Sequence, residues 1–338
     1  LARRLALAGY STWCRGTAPL AGENTDQTIR ILLDSRVAQY LPVLSNASLA
    51  DIIFLERCVI AGAKSDLVLP CTVGLPPGAR LPSKLSSLTS AEFGASTERG
   101  VVVERLELTV EGGVAIPALL LKAGGKPTGR AVVFASSFGK AQDADIYALA
   151  AAGNTVLAVD PRGMGESYRP AGRTGYRQSY QLSARAILLN RNLVEMQAAD
   201  LVAAAGYLRS RPEAAGKRIA LYAKGAVGPA AIVAAAMEER IGELVLERSI
   251  VSYMDVVSAK IHEGLDQAIV PGILAHADLP DMLQLLGGRA VSIVSPAHPN
   301  GRAMLPAEAA KSLGAAPARL IFRGEGWPLL RALPAWSN

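Results

Sequence analysis

From about residue 99 onward, short apolar runs alternate with stretches of helical spacing, and this alternation limits the possible folds more than any other feature. Residues 130–135 (RAVVFA), 155–160 (TVLAVD), 217–223, 243–247 (ELVLE), 289–295 (RAVSIVS) and 318–323 (ARLIFR) are apolar at consecutive positions and too short for helices. That is the pattern of strands buried on both faces. Between them, residues 143–152 predict a helix ending at Gly153, and Leu193–Ser210 places Leu193, Met196, Leu201, Ala204 and Leu208 on one broad face. An alanine-rich helix follows Gly228 and runs to about Glu239. Strands alternating with helices predict an α/β domain, with a mostly parallel central sheet and helices on both faces. Right-handed crossovers then bring the strand-to-helix turns to the carboxyl end of the sheet.

Ahead of this series, Val101–Val110 and residues 114–121 flank Glu111-Gly112-Gly113 and read as a β-hairpin. Pro117, which has no N–H to donate, suggests that the return strand lies at an edge. Residues 76–98 are rich in Pro, Gly and Ser and read as a linker. Residues 1–75 form a partly helical N-terminal segment. Parts of it echo the later domain in order: 5–9 (LALAG) echoes 149–153 (LAAAG), and 67–74 (LVLPCTVG) echoes 221–228 (LYAKGAVG). Either this is the remnant of a preceding repeat or it is chance similarity in an Ala/Leu-rich chain.

Composition narrows the function classes. The net charge of +6 comes from Lys and Arg scattered singly, without the basic stripe of a nucleic-acid binder, so no nucleic-acid partner is expected. No stretch reaches the roughly 18 apolar residues of a membrane span. Cys14, Cys58 and Cys71 have neither metal-ligand spacing nor an even number, and no cofactor or metal is expected. Residues 1–10 are too short for a signal peptide and lack an initiator Met, so the chain is expected to be a piece of a longer precursor.

The motifs support a family resemblance. Residues 156–167 (VLAVDPRGMGES), the strand-turn-helix 221–228, and the run Val270-Pro271-Gly272 to Asp278-Leu279-Pro280-Asp281 followed by 289–296 stand in the order seen in α/β hydrolases. Over about residues 99–330 the chain resembles the acetylxylan-esterase-like bacterial branch of that superfamily. The resemblance implies the α/β-hydrolase fold for residues 99–338, and a secreted or periplasmic location. It also implies a Gly-x-Ser-x-Gly elbow, whose serine attacks the ester and whose following N–H binds the oxyanion.

Setting the helix-packing glycine on Gly228 puts Gly225 at the nucleophile position, and glycine has nothing to attack with. The acid loop, 296–300, offers His298 and no carboxylate. The base loop, 324–327, offers Glu325 and no histidine. The other histidines are His262 and His276. The Ser-His-Asp arrangement is thus missing at all its expected positions. One rewired set is conceivable: Ser137 (or Ser136) from the loop that usually gives the other oxyanion donor, with His298 as base and Glu325 to orient it. The plain alternatives are a loop histidine and turn hydroxyls. Asp160 is expected to close a strand end, with Arg162 pairing to it; Gly163 and Gly165 to shape a turn; Asp278 and Asp281 to cap a helix start.

The expected function is therefore a catalytically degenerate hydrolase-like domain. It would take a small or carbohydrate ester ligand, or serve as partner to an active esterase domain of the same precursor. The alternatives are an active carboxylic-ester hydrolase on acetylated carbohydrate with a nonstandard nucleophile, and a scaffold without ligand.

Overall fold

The computed structural model describes residues 43–44, 71–72, 89–110, 113–123, 129–168, 178–189, 191–324 and 327–336. The chain divides into two units, residues 1–76 and 77–338. In the first, two short strands, β1 (Val43–Leu44) and β2 (Cys71–Thr72), pair in parallel. The rest of that segment, with Cys14, Cys58 and the repeat echoes at 5–9 and 67–70, lies outside the described residues.

The second unit is built on a nine-stranded sheet of order β11-β10-β9-β8-β6-β7-β5-β4-β3. Its strands are β3 (Thr89–Glu98), β4 (Val101–Val110), β5 (Val114–Ala123), β6 (Ala131–Ser136), β7 (Thr155–Val159), β8 (Ile219–Lys224), β9 (Ile241–Glu247), β10 (Ala290–Val294) and β11 (Arg319–Ile321). From β7 to β11 every pairing is parallel, whereas β3, β4 and β5 join antiparallel. The apolar runs became strands as expected; those in the middle of the sheet, such as β6, β7 and β8, are covered on both faces, whereas the edge strand β11 is only partly buried. In β6, Ala131, Val133 and Ala135 enter one core, while Val132 and Phe134 enter the other.

Among the described residues the α-helices are, in chain order, α1 (Asp145–Ala151), α2 (Gln178–Leu188), α3 (Leu193–Ser210), α4 (Gly228–Met237), α5 (Tyr253–Ser258), α6 (Leu279–Gln284), α7 (Pro306–Leu313) and α8 (Leu329–Ala332). The start of α3 is set by Asn192, whose side chain accepts the Glu195 N–H at 2.8 Å. Asp278 and Asp281 form a capping box at the start of α6, as their spacing suggested. The larger core holds the buried faces of α3 and α4; the smaller holds Ile146 and Leu149 of α1 with Leu329 of α8.

Two sequence expectations are corrected. Residues 89–98, read as linker, are the edge strand β3; being exposed along most of its length, it carries no apolar alternation to announce it. Strand β5, read as an edge from Pro117, lies between β4 and β7. Its ladder to β7 stops at Ala118↔Val159, so the missing N–H of Pro117 falls just past the paired stretch. There the Pro117 carbonyl accepts the Asp160 N–H at 3.0 Å.

Candidate functional site

Strand β8 ends at Lys224, turns through Gly225–Val227 and enters α4 at Gly228. Gly225 is buried, with φ +77°, a conformation in which an L side chain is strained. Gly228 packs so tightly that a Cβ there would collide with Ser249 Oγ. Close packing thus requires glycine at one of the two positions and backbone conformation favours it at the other.

The space above Gly225 is not empty. A Cβ built on Gly225 would run into Ser137 Oγ. Ser137 comes from the turn after β6, the sheet neighbour of β8, where Ser136 stands opposite Lys224. The Ser137 N–H donates to the Lys224 carbonyl at 3.0 Å, and the Ala226 N–H donates to Ser137 Oγ at 3.3 Å. The Phe138 N–H, from the loop expected to supply the second oxyanion donor, is held by Ser136 Oγ at 3.3 Å. The Ser137 hydroxyl therefore stands where the side chain of an elbow residue would be. An open pocket of about 540 Å³ lies over it, lined by Ser137, Phe138, Gln142, Tyr168, Ser179 and Gln267 among others.

His298 is not brought into hydrogen-bond contact with Ser137. Its Nε2 lies 2.9 Å from Glu308 Oε2 and 2.6 Å from an Arg302 guanidinium nitrogen, while the His298 backbone N–H donates to the Arg302 carbonyl. Glu308 is held down to a pKa of about 2 by the Leu305 backbone N–H, then by His298 and Arg302. His262 Nε2 contacts the Val256 carbonyl at 2.7 Å. Glu325 lies outside the described residues. The chain just ahead of the acid loop lies beside the chain just ahead of the base loop, since Ser295 N donates to the Ile321 carbonyl and Arg323 N to Ser295 Oγ, both at 2.8 Å.

The expected Asp160–Arg162 pair is corrected. Arg162 turns to the buried Asp200 of α3, at 2.6 Å. Asp160 turns inward to Lys140: its carboxylate accepts Lys140 Nζ, the Lys140 N–H and the Glu166 N–H, each at 2.8 Å. Both members of this ion pair are about fully buried, at 1% side-chain exposure. Glu166, half exposed at the pocket wall, takes a further Lys140 bond at 2.6 Å. Gly165, at φ +49°, leaves no room for a Cβ against the Asp160 carboxylate.

A second charged group, unforeseen in the sequence, ties the carboxyl ends of the strands together. Lys224 Nζ lies 2.9 Å from Asp143 and 3.0 Å from Asp145; Arg323 lies 2.9 Å from both Asp145 and Glu247. The Tyr222 hydroxyl donates to Glu247. Burial and the neighbouring Glu247 charge push the Tyr222 hydroxyl well above its ordinary pKa. The available signal was that Lys224 and Glu247 each close a buried apolar run, where a charge needs a partner, and that Arg323 closes a further apolar run. Among the described residues, no group of three or more His, Cys, Asp or Glu is placed to hold a metal ion, and no helix is long and apolar enough to cross a membrane.

No protein-family model matches this sequence, and no curated protein matches it. Solved structures do resemble the fold. Acetyl xylan esterase 1 from Thermoanaerobacterium sp. JW/SL YS485 superposes with a TM-score of 0.52 at 16% identity, over 74% of this chain and 88% of that one. A provisionally assigned acetyl xylan esterase from Bacteroides fragilis NCTC 9343 gives 0.53 at 12% identity, over 71% of each chain. Methylesterase BT1017 gives 0.51 at 15% identity, over 75% of this chain and 56% of that one. At such identities the likeness is one of fold: the second unit has the α/β-hydrolase fold, and its structural neighbours are esterases.

Proposed function

We propose that the second unit is a hydrolase-type domain without ester-hydrolysing chemistry, which keeps a pocket for a small or carbohydrate ligand and serves beside an active esterase domain in a longer protein. The observation that carries this is the occupancy of the elbow. Gly225 has no nucleophile, and the hydroxyl in its place, that of Ser137, is bonded to the Ala226 N–H and, among the described residues, to no base. A serine attacks an ester at neutral pH only when a neighbouring group takes its proton. The carbohydrate part of the reading rests on the acetyl xylan esterases among the similar folds. The pocket's mixture of aromatic rings, at Phe138 and Tyr168, with the side-chain amide of Gln142 supports it, because such a lining suits a ligand with both C–H faces and hydroxyls.

The test has two arms. The purified chain is expected to turn over p-nitrophenyl acetate no faster than a Ser137→Ala variant, and to take up no fluorophosphonate. Stoichiometric labelling of Ser137 would instead support the alternative, an active carboxylic-ester hydrolase with a nonstandard nucleophile. In the second arm, xylan oligomers are expected to raise the melting temperature, as any ligand of the native state does. No shift across a broad sugar panel would favour a scaffold without ligand.

A further inference from the structure

We propose that Ser137 turns this site from one that takes an acyl ester into one that selects a free hydroxyl, so that the pocket binds deacylated sugar in preference to its acetylated form. The proposal rests on the binding reading above and names the ligand of that same pocket. In an esterase an acetyl group places its carbonyl oxygen, which only accepts, on the backbone N–H donors of the elbow and of the facing loop. Here the Ala226 N–H is engaged by Ser137 Oγ and the Phe138 N–H by Ser136 Oγ. An incoming acyl carbonyl must displace both bonds, and donors taken from their partners without full replacement lose affinity.

The rest of the lining asks the ligand to accept at one point and to donate at another. Ser137 Oγ already accepts from Ala226, and its one hydrogen has no described acceptor, so it is offered to the pocket. Glu166, another residue of the pocket lining, accepts from Lys140 at Oε1, while its Oε2 has no described partner. A sugar hydroxyl both accepts and donates, so it can meet Ser137 and Glu166. An acetylated oxygen can only accept, and brings a methyl group toward a carboxylate.

The experiment is isothermal titration calorimetry of the full chain with xylohexaose and with chemically acetylated xylohexaose. The wild type is expected to bind the deacetylated form about tenfold more tightly or better, the discrimination that one lost hydrogen bond of about 1.4 kcal/mol gives. Ser137→Ala frees the Ala226 N–H and the space above Gly225, and is expected to bring the two affinities together. Ser137→Thr keeps the hydroxyl and is expected to keep the preference. A wild type that prefers the acetylated form, or a Ser137→Ala variant of intact circular dichroism with unchanged discrimination, overturns the proposal while leaving the pocket a binding site. If neither sugar binds the wild type, the binding reading itself fails and this proposal falls with it.

Discussion

Gly225 and Ser137 have to be understood as one unit. At φ +77° a non-glycine residue is strained by about 1–2 kcal/mol, whatever surrounds it. The second penalty is local: any Cβ there meets Ser137 Oγ, and forcing extra volume into a packed site costs about 1–3 kcal/mol. The first penalty belongs to Gly225 alone and the second to the pair. A double-mutant cycle separates them. Gly225→Ala is expected to destabilise the wild type by about 2–5 kcal/mol, and a Ser137→Ala background by only about 1–2 kcal/mol, read from urea midpoints at constant slope. Additive effects of the two substitutions would show that the collision is relieved elsewhere. The same geometry predicts that Gly225→Ser by itself restores no usable nucleophile, since the new side chain competes with Ser137 for one volume.

At the scale of elements, the carboxyl end of the sheet is held by charge. Lys224 closes β8, Glu247 closes β9, Arg323 follows β11, and Asp145 begins α1. Burial alone would raise the Asp145 pKa, but the Arg323 bond and the Lys224 charge outweigh it, leaving Asp145 below its ordinary 3.8. A depressed carboxylate contributes stability that is fully present above its unfolded pKa and is lost as pH falls through the lower folded value. Lys224 goes the other way: burial lowers its pKa, Glu247 and Asp143 raise it further, and the result lies above 10.5, so its contribution is lost only in strong alkali. Asp145→Asn is therefore expected to destabilise the protein at pH 7 by about 1.5–3 kcal/mol. The gap from wild type should close between about pH 5 and about pH 2, in melting temperatures measured against pH. A gap that persists at the acid end would assign the loss to packing. These links also mark where the sequence stops being legible. The strands buried on both faces and the span of α3 stand in the hydrophobic pattern, as does the glycine at the elbow. The exposed strand β3 does not, because its polar residues show no period. The partners of Lys140, Arg162 and Lys224 do not either, because each pair closes over tens of residues and depends on which strands become neighbours. Ser137 could be placed in a loop near the site from the motif order; that its hydroxyl enters the elbow follows only from β6 lying beside β8.

At the scale of the molecule, the described residues of both hydrophobic cores run from Val101 to Trp336, inside the second unit. They are joined through the sheet, whose central strands give alternate residues to each, so neither core can dissolve without exposing the other. A chain cut to residues 77–338 is thus expected to fold by itself and to unfold in one cooperative step. In calorimetry its enthalpy should scale with size, at about 0.7 kcal/mol per residue near 60 °C, and equal the van't Hoff value. Near-ultraviolet circular dichroism should show Trp336 fixed, since its indole N–H donates to Glu243 at 2.8 Å and its ring lies 6.1 Å from that of Tyr222. A truncated chain that binds a hydrophobic dye and has lost its near-ultraviolet signal, while keeping its far-ultraviolet signal, would be a loosely packed state. That outcome would mean that residues 1–76 supply packing which the two cores need.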